Sequence, residues 1–402
     1  MEEFMSLNSG EHVNAAGPAG CLLADEYLWQ NYRLRHNVLS GKVEYRSINE
    51  DDARFRPLTS QAINSIILKS RRDGYIDKED ISADLKLLFD SDDIPQFDPA
   101  KEWLESLHWD GTERLVDFWK RIPGISAEHI FYLIIWQRSM VAQWLGMNKE
   151  HGNECVPTLV GSQGIGKSTF FIRMLPEELR QYYLDNFRLA NNFDKDMALT
   201  NNLLVNLDEF DMYTNSQQAQ VKQSLSRVRV NGRKIYGRTQ EDRRRYASFV
   251  ATTNNLQPLG DPTGSRRYIC LAVPQGQYID NDTELDIAQI YAQLVHEVVE
   301  KKERYWFTND ETIRIMQLNS PFQQVKGIEQ MVASCVAHIG EGSAEEYIST
   351  ADIINKVKTV YPYADHSKLS SVRVGRIMKE LGFTRKHFSN CEKYVAKLAV
   401  VA

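Results

Sequence analysis

An α/β fold with a mostly parallel sheet is predicted by three observations. Short continuous apolar runs, VPTLV at 156–160, LLVNLDEF at 203–210, ASFVATTN at 247–254 and YICLAV at 268–273, alternate with helical patterns, as strands buried on both faces do. A glycine-rich, phosphate-cradling pattern, GSQGIGKS at 161–168, directly follows the first run and opens the helical stretch STFFIRML. At 402 residues the chain also exceeds one ordinary core and calls for two or three domains.

Composition narrows the class. With 42% hydrophobic and 25% charged residues the chain reads as soluble and globular, and a net charge of -6 excludes a uniformly basic coat while allowing local basic patches. Cys21, Cys155, Cys270, Cys335 and Cys391 are odd in number and include no Cys-x-x-Cys pair. That argues against a zinc ribbon or a disulfide framework and for a reducing, cytoplasmic compartment. The Met-Glu-Glu start has no basic segment followed by an apolar run, so no secretory signal is expected. The most apolar window, HIFYLIIWQRSMVAQWLGM at 129–147, is broken by Gln137, Arg138 and Gln143; a buried helix is expected there, and no membrane partner.

Five segments follow in order. Residues 1–20, rich in Gly, Ala and Asn without periodicity, read as a flexible tail. Residues 21–97 read as a small N-terminal α+β unit, with an extended piece NVLSGKVEYR and helical patterns through Ile63, Ile66, Ile67 and through Ile81, Leu85, Leu88. Its aromatic and basic residues Trp29, Tyr32, Arg33 and Arg35 read as ordinary packing, and it holds no carboxylate constellation for priming, which is expected from a separate primase. Residues 98–150 form a Trp-rich helical block, with turns at Asp110-Gly111 and Pro123-Gly124, packed on the α/β core of 151–308. Residues 309–402 carry helical patterns at 325–338, 349–360 and 368–381 followed by a strand pair, the sequence of a winged helix.

The cradle, Gly161, Ser162, Gln163, Gly164, Ile165, Gly166, Lys167, Ser168 and Thr169, fits a P-loop at every fixed position. Its glycines let backbone N–H groups close on phosphates, Lys167 reaches the β- and γ-phosphates, and the Ser168 hydroxyl binds Mg²⁺. A P-loop needs a second carboxylate site on a neighbouring strand. The run ending in Asp208 and Glu209 supplies one, with Asp208 as the Mg²⁺ partner and Glu209 as base for the attacking water. No Asn-Lys-x-Asp base reader follows and no Leu-Ser-Gly-Gly-Gln is present, so among ATP-using classes an AAA+ type motor remains. Asn254, at the end of the next apolar run, sits where a γ-phosphate sensor belongs. Arg266 and Arg267, between a glycine-rich turn and a buried strand, are placed as a finger into a neighbouring copy's site.

The order of P-loop, Asp-Glu strand, basic segment, strand ending in Asn and then Gly-Ser-Arg-Arg resembles the virulence-associated E family of phage and mobile-element proteins, itself similar to the superfamily three helicases of small DNA viruses. The likeness covers roughly residues 100–310, and the C-terminal region is similar to winged-helix-like tails of Bacteroides-type members. The resemblance implies a superfamily three helicase-like, ring-forming ATPase core that acts on DNA at replication initiation; with ATP and Mg²⁺ as cofactors, a homo-oligomer, a hexamer, is expected.

Residues 222–245 carry nine Lys or Arg against two acids in a chain that is negative overall, which points to a polyanionic partner. VRVNGRKIY reads as a hairpin turning at Asn231-Gly232, with Arg233, Lys234, Tyr236 and Arg238 to track a single DNA strand. The resembled helicases carry their DNA-gripping hairpin in this interval. Arg243, Arg244 and Arg245 read instead as candidates for a neighbour's nucleotide or acids. Residues 356–397, with ten Lys or Arg against three acids, would present Lys368, Arg373 and Arg376 to duplex phosphates or dock a protein. The alternative readings are a nucleotide-gated DNA-binding or assembly ATPase without unwinding, and a small-molecule P-loop kinase, which would need neither basic segment.

Overall fold

The computed structural model describes residues 19–49, 54–74, 82–148, 152–185, 187, 192–210, 213, 215–233, 240–260, 262–324, 327–339, 346–388 and 391–399. The tail expected at 1–20 lies almost wholly outside them. Two compact units divide the chain, Met1–Pro99 and Ala100–Ala402.

In the first unit, α1 (Ala19–Asn31) leads into the antiparallel strands β1 (Tyr32–Asn37) and β2 (Lys42–Ser47), followed by β3 (Arg56–Pro57), α2 (Ser60–Arg72), α3 (Ser82–Phe89) and β4 (Gln96–Phe97). The sheet order is β3-β2-β1-β4. The stretch NVLSGKVEYR, expected as one extended piece, is bent into a hairpin. The Asn37 side-chain oxygen accepts from the N–H groups of Leu39 and Ser40 at 3.0 Å each, and Gly41 takes the left-handed φ of +66° that closes the turn. Tyr27, Leu28, Tyr32, Leu34, Ile66, Leu85 and Ile94 fill the core. Arg35 pairs with Glu44 at 2.7 Å and lies over the Phe97 ring, so its charge is used in packing.

The second unit opens with α4 (Pro99–Glu105), α5 (Leu115–Trp119) and α6 (Ala127–Trp144). Ser126 caps α6 by accepting from the His129 N–H, and the helix is buried on most of its faces, with Leu133, Trp136 and Trp144 at 0% exposure. Its polar interruptions are all partnered: Gln137 accepts from the Trp119 indole at 2.7 Å, Arg138 pairs with Glu297 at 2.7 Å, and Gln143 donates to the carbonyls of Tyr246 and Ala247. Among the described residues no helix is long and apolar enough to cross a membrane.

Then come β5 (Val156–Val160), α7 (Lys167–Ile172), β6 (Tyr183–Leu184), α8 (Asn192–Asn201), β7 (Leu204–Leu207), α9 (Asn215–Leu225), β8 (Arg229–Arg233), β9 (Gln240–Arg244), β10 (Ser248–Thr253), β11 (Tyr268–Ala272), α10 (Ile287–Val295) and α11 (Asn309–Leu318). The four apolar runs form β5, β7, β10 and β11, joined by β6 in a wholly parallel sheet ordered β11-β5-β10-β7-β6. The predicted α/β class with a parallel sheet therefore holds. Parallel strands end together, so the loops after β5, β7 and β10 meet at one edge of the sheet.

The chain closes with α12 (Ile328–Cys335), β12 (Val336–Ala337), β13 (Tyr347–Ile348), α13 (Thr350–Val360), α14 (Ser371–Glu380), β14 (Arg385–Phe388), β15 (Cys391–Val395) and β16 (Lys397–Leu398). The three helices surround Val332, Ile353, Val357, Val374 and Met378, backed by a sheet ordered β13-β15-β14.

Candidate nucleotide site

The loop between β5 and α7 is shaped by glycines that nothing else replaces. Gly164 and Gly166 take left-handed φ values of +80° and +90°, and a Cβ at Gly166 would lie 2.3 Å from the Asn281 amide nitrogen. A Cβ on Gly161 would lie 2.8 Å from Ile165 Cδ1. Lys167, only 8% exposed, donates its ammonium to the carbonyls of Gly161 (2.8 Å) and Ser162 (2.7 Å) and to Asn254 Oδ1 (2.9 Å). The loop therefore holds the ammonium with two of its own carbonyls and with the end of the neighbouring strand.

Facing it across the sheet edge, Asp208 and Glu209 follow β7. Gln163, Gly164, Gly166, Lys167, Ser168, Thr169, Asp208, Glu209 and Asn254 share one cleft of about 320 Å³ with Thr252 and Thr253. Thr252 donates its hydroxyl to Asp208 and so orients that carboxylate. Glu209 takes a φ of 48°, a left-handed conformation that costs a non-glycine residue about 1–2 kcal/mol, and its side chain is exposed to the cleft side. Burial, reinforced by the Asp208 charge, raises the Tyr213 phenol to about 12 and raises Tyr183 further, with Asp185 acting on Tyr183 before Asp208.

Arg266 and Arg267 close a 3-10 turn, Pro262–Arg267, just before β11. Tyr268 pairs with Val156, the first residue of β5, so both arginines stand at the sheet edge opposite the cradle. A five-residue strand separates the two edges by roughly 16 Å at about 3.3 Å per residue. They cannot serve the cradle of their own chain. Arg266 is exposed; Arg267 is half-buried and donates to Ser226 Oγ at 3.1 Å.

A virulence-associated protein E-like domain matches residues 104–324, more than half of the chain. The chain belongs to this family. The matched segment holds the cradle, Asp208, Glu209, Asn254, both arginines and the basic strands. Solved apo structures of the C-terminal region of NrS-1 align with 94% and 96% of the chain and 99% and 100% of their own length, at 10% identity and TM-scores of 0.45 and 0.44. A point mutant of Thermotoga maritima RuvB aligns with 68% of the chain and 94% of its own length, at 13% identity and a TM-score of 0.26. No curated protein matches the sequence.

In this virulence-associated E-like chain the basic hairpin differs from its sequence expectation. Asn231 and Gly232 do not form the turn: they lie within β8, opposite Asp242 and Glu241 of β9. A turn there would strand Val230, which is fully buried, and would forfeit the pairing of Arg229 with Asp242. Core packing on one side and cross-strand charge on the other thus override the local Asn-Gly signal. The strands extend to Arg233 and Gln240; Lys234, Tyr236 and Arg238 belong to the connection at 234–239, outside the described residues.

Of the three arginines that follow, Arg244 and Arg245 are not free for a neighbour. Arg245 is fully buried and donates to the carbonyls of Leu225 (2.7 Å), Ala247 (2.8 Å), Arg227 (2.9 Å) and Asn153 (3.0 Å). Burial lowers its pKa to about 10 and leaves it charged at neutral pH. Arg244 donates to the last carbonyls of α6, at Gln143 and Trp144, and lies over the Tyr246 ring. Consecutive arginines thus cap the C-termini of two helices, where cations are favoured.

One buttress escaped sequence reasoning altogether. Asn281 donates to the Gly166 carbonyl at 3.0 Å, and the Ile279 N–H donates to the Ile165 carbonyl at 3.1 Å. The turn beside them is tied down by Asp280, which accepts from the N–H groups of Thr283 and Asp282 and faces Arg121 at 3.6 Å; these hold its carboxyl down at about 2. No motif marks residues 279–283, since their effect depends on folding back against a loop far away in sequence.

Proposed function

We propose that this chain is a Mg²⁺-dependent ATPase with an AAA+ or superfamily three helicase-like core, working as a hexameric ring that translocates on DNA of a phage or mobile element during replication initiation. The observation that carries the reading is the division of the sheet: cradle, acidic pair and Asn254 meet at one edge, while Arg266 and Arg267 stand at the other. Such a half-site is complemented when a second copy brings its arginine edge to the first copy's cradle.

The residues present fit ATP and Mg²⁺. Gly164 leaves open space where a Cβ would stand, the Lys167 ammonium is held by carbonyls that phosphate oxygens can replace, and a hydroxyl and a carboxylate, Ser168 and Asp208, are the donor types that Mg²⁺ takes. Bound there, Mg²⁺ would draw negative charge from the β- and γ-phosphates. Lys167 holds the same phosphates, Asn254 positions the γ-phosphate side of the cleft, and Glu209 accepts a proton from the attacking water. Either arginine, from the adjacent copy, offsets charge on the far side. The link from Arg267 to Ser226 supports transmission, because Ser226 lies between α9 and the root of the β8–β9 hairpin. The hairpin, with Arg233, Lys234, Tyr236 and Arg238, grips a single strand. The C-terminal module is read as winged-helix-like, and priming is left to another protein.

Hydrolysis measured with and without single-stranded DNA, beside unwinding of a forked duplex, tests the reading. DNA-stimulated hydrolysis with unwinding is expected; hydrolysis without unwinding would leave the nucleotide-gated assembly ATPase. Glu209→Gln should keep ATP binding and lower turnover by roughly 10²–10⁴-fold, and retained turnover would remove Glu209 from the mechanism.

A further inference from the structure

The C-terminal module has an outward face that the nucleotide site does not use. α14 turns Val374, Ile377 and Met378 inward, against the cluster that holds Val332, Ile353 and Val357, and leaves Val372, Arg376 and Lys379 exposed on the other side. Arg373, expected from the sequence to face outward, instead pairs with Glu329 of α12 at 2.7 Å. Val372 is 86% exposed, yet no second apolar side chain accompanies it on that stripe.

β14 borders this face: Arg385 turns toward α14, whereas Lys386, one residue on, lies on the other side of the hairpin and donates to Tyr347 Oη at 3.1 Å. Helix and hairpin are locked together. Arg385 Nη2 donates to Tyr394 Oη at 2.7 Å, Tyr394 Oη donates to the Gly375 carbonyl at 3.4 Å, and a Cβ at Gly375 would lie 3.1 Å from the Arg385 guanidinium. Lys368 stands exposed just ahead of the helix. The acids within this surface, Glu380 and Glu392, pair with Arg376 (3.5 Å) and Arg385 across exposed gaps, where such pairs contribute little and phosphate competes readily.

Shape selects the occupant. A ten-residue helix is about 15 Å long and 10–12 Å across with its side chains, and the major groove of duplex DNA is about 12 Å wide. A single strand offers no such groove, and a protein partner would need an apolar patch in place of one valine among cations. An exposed Val372 and Arg376 on one helix face are the groups that read a thymine methyl and a guanine edge. We infer that α14, braced by the β14–β15 hairpin, forms a second DNA site, specific for duplex, held by Lys368, Arg376 and Lys379. The inference stands on this surface alone and does not depend on the ATPase reading.

Fluorescence anisotropy of the full chain with a labelled blunt duplex of about 21 base pairs, and with one of its strands, provides the test over a salt series. Lys368→Ala/Arg376→Ala/Lys379→Ala should weaken duplex binding roughly tenfold or more and flatten the log K against log salt slope by about 2, for two phosphate contacts at about 0.9 each. Single-strand affinity, basal ATP hydrolysis and Tm should stay unchanged. Arg373→Ala, a cation lost from the same helix but facing α12, should leave the slope within about 0.5 of the parent. Absence of duplex binding by the parent chain, an unchanged slope in the triple variant, or an Arg373→Ala effect equal to that of Arg376→Ala would overturn the proposal.

Discussion

Gly166 illustrates how one residue serves two constraints. Its φ of +90° disfavours any side chain, and the Asn281 amide occupies the place of a Cβ. Gly166→Ala is therefore expected to weaken nucleotide binding by roughly 100-fold in a filter or fluorescence assay, because the methyl displaces the Asn281 amide from the Gly166 carbonyl it holds and strains the left-handed backbone. In an Asn281→Ala background the loss should shrink to roughly tenfold, the remainder reflecting a left-handed backbone at about 1–2 kcal/mol. An undiminished loss in that background would assign the whole effect to backbone strain. Glycine spacing made Gly166 legible in the sequence, whereas nothing marked Asn281.

Among elements, the root of the basic hairpin and the start of α6 make measurable claims. Arg245 ties the end of α9, the link from α9 to β8 and Asn153 together through their carbonyls. Arg245→Leu should destabilise the second unit by about 3 kcal/mol, because each buried carbonyl left unpaired costs about 1–3 kcal/mol and some relax onto other donors. Arg245→Lys should be nearly as damaging, since one ammonium cannot span the positions of a forked guanidinium. Thermal denaturation decides, and a Tm equal to the parent's for either variant contradicts the hub assignment. His129, in the first turn of α6, has its pKa lowered chiefly by burial, with Arg314 adding and Glu128 opposing. Because the unfolded chain protonates this ring first, at about 6.5, stability should decline as pH falls below that value and level off beneath the lower folded pKa. His129→Gln should flatten the Tm profile in that window. The apolar runs disclosed four of the five parallel strands; β6, two residues following a 3-10 turn, is too short to show a period.

At the level of the assembly, the proposal requires sites shared between copies. Lys167→Ala lacks a working cradle and Arg266→Ala/Arg267→Ala lacks the arginine edge, so each alone should be nearly inactive. Mixed before assembly, the two should recover part of the parent's ATP hydrolysis, since some interfaces pair an intact cradle with an intact arginine edge. Recovery no greater than the sum of the separate activities, with the chain eluting as a monomer in ATP and DNA, would end the ring reading.

Local chemistry written along the chain determined the glycine loop after β5, the acidic pair, the parallel-sheet class and the basic character of residues 222–245, because glycine spacing, apolar runs and charge act at short range. Tertiary structure alone decided which of those charges are available. Asn231-Gly232, a turn by local propensity, is drawn into β8 by the burial of Val230. Arg245 and Arg373, which look like any other cations in the sequence, are spent on buried carbonyls and on Glu329, while Arg376 and Lys379 are left facing outward. The physical reason is that a guanidinium's role depends on what lies within about 3 Å of it, and only the folded chain supplies those neighbours.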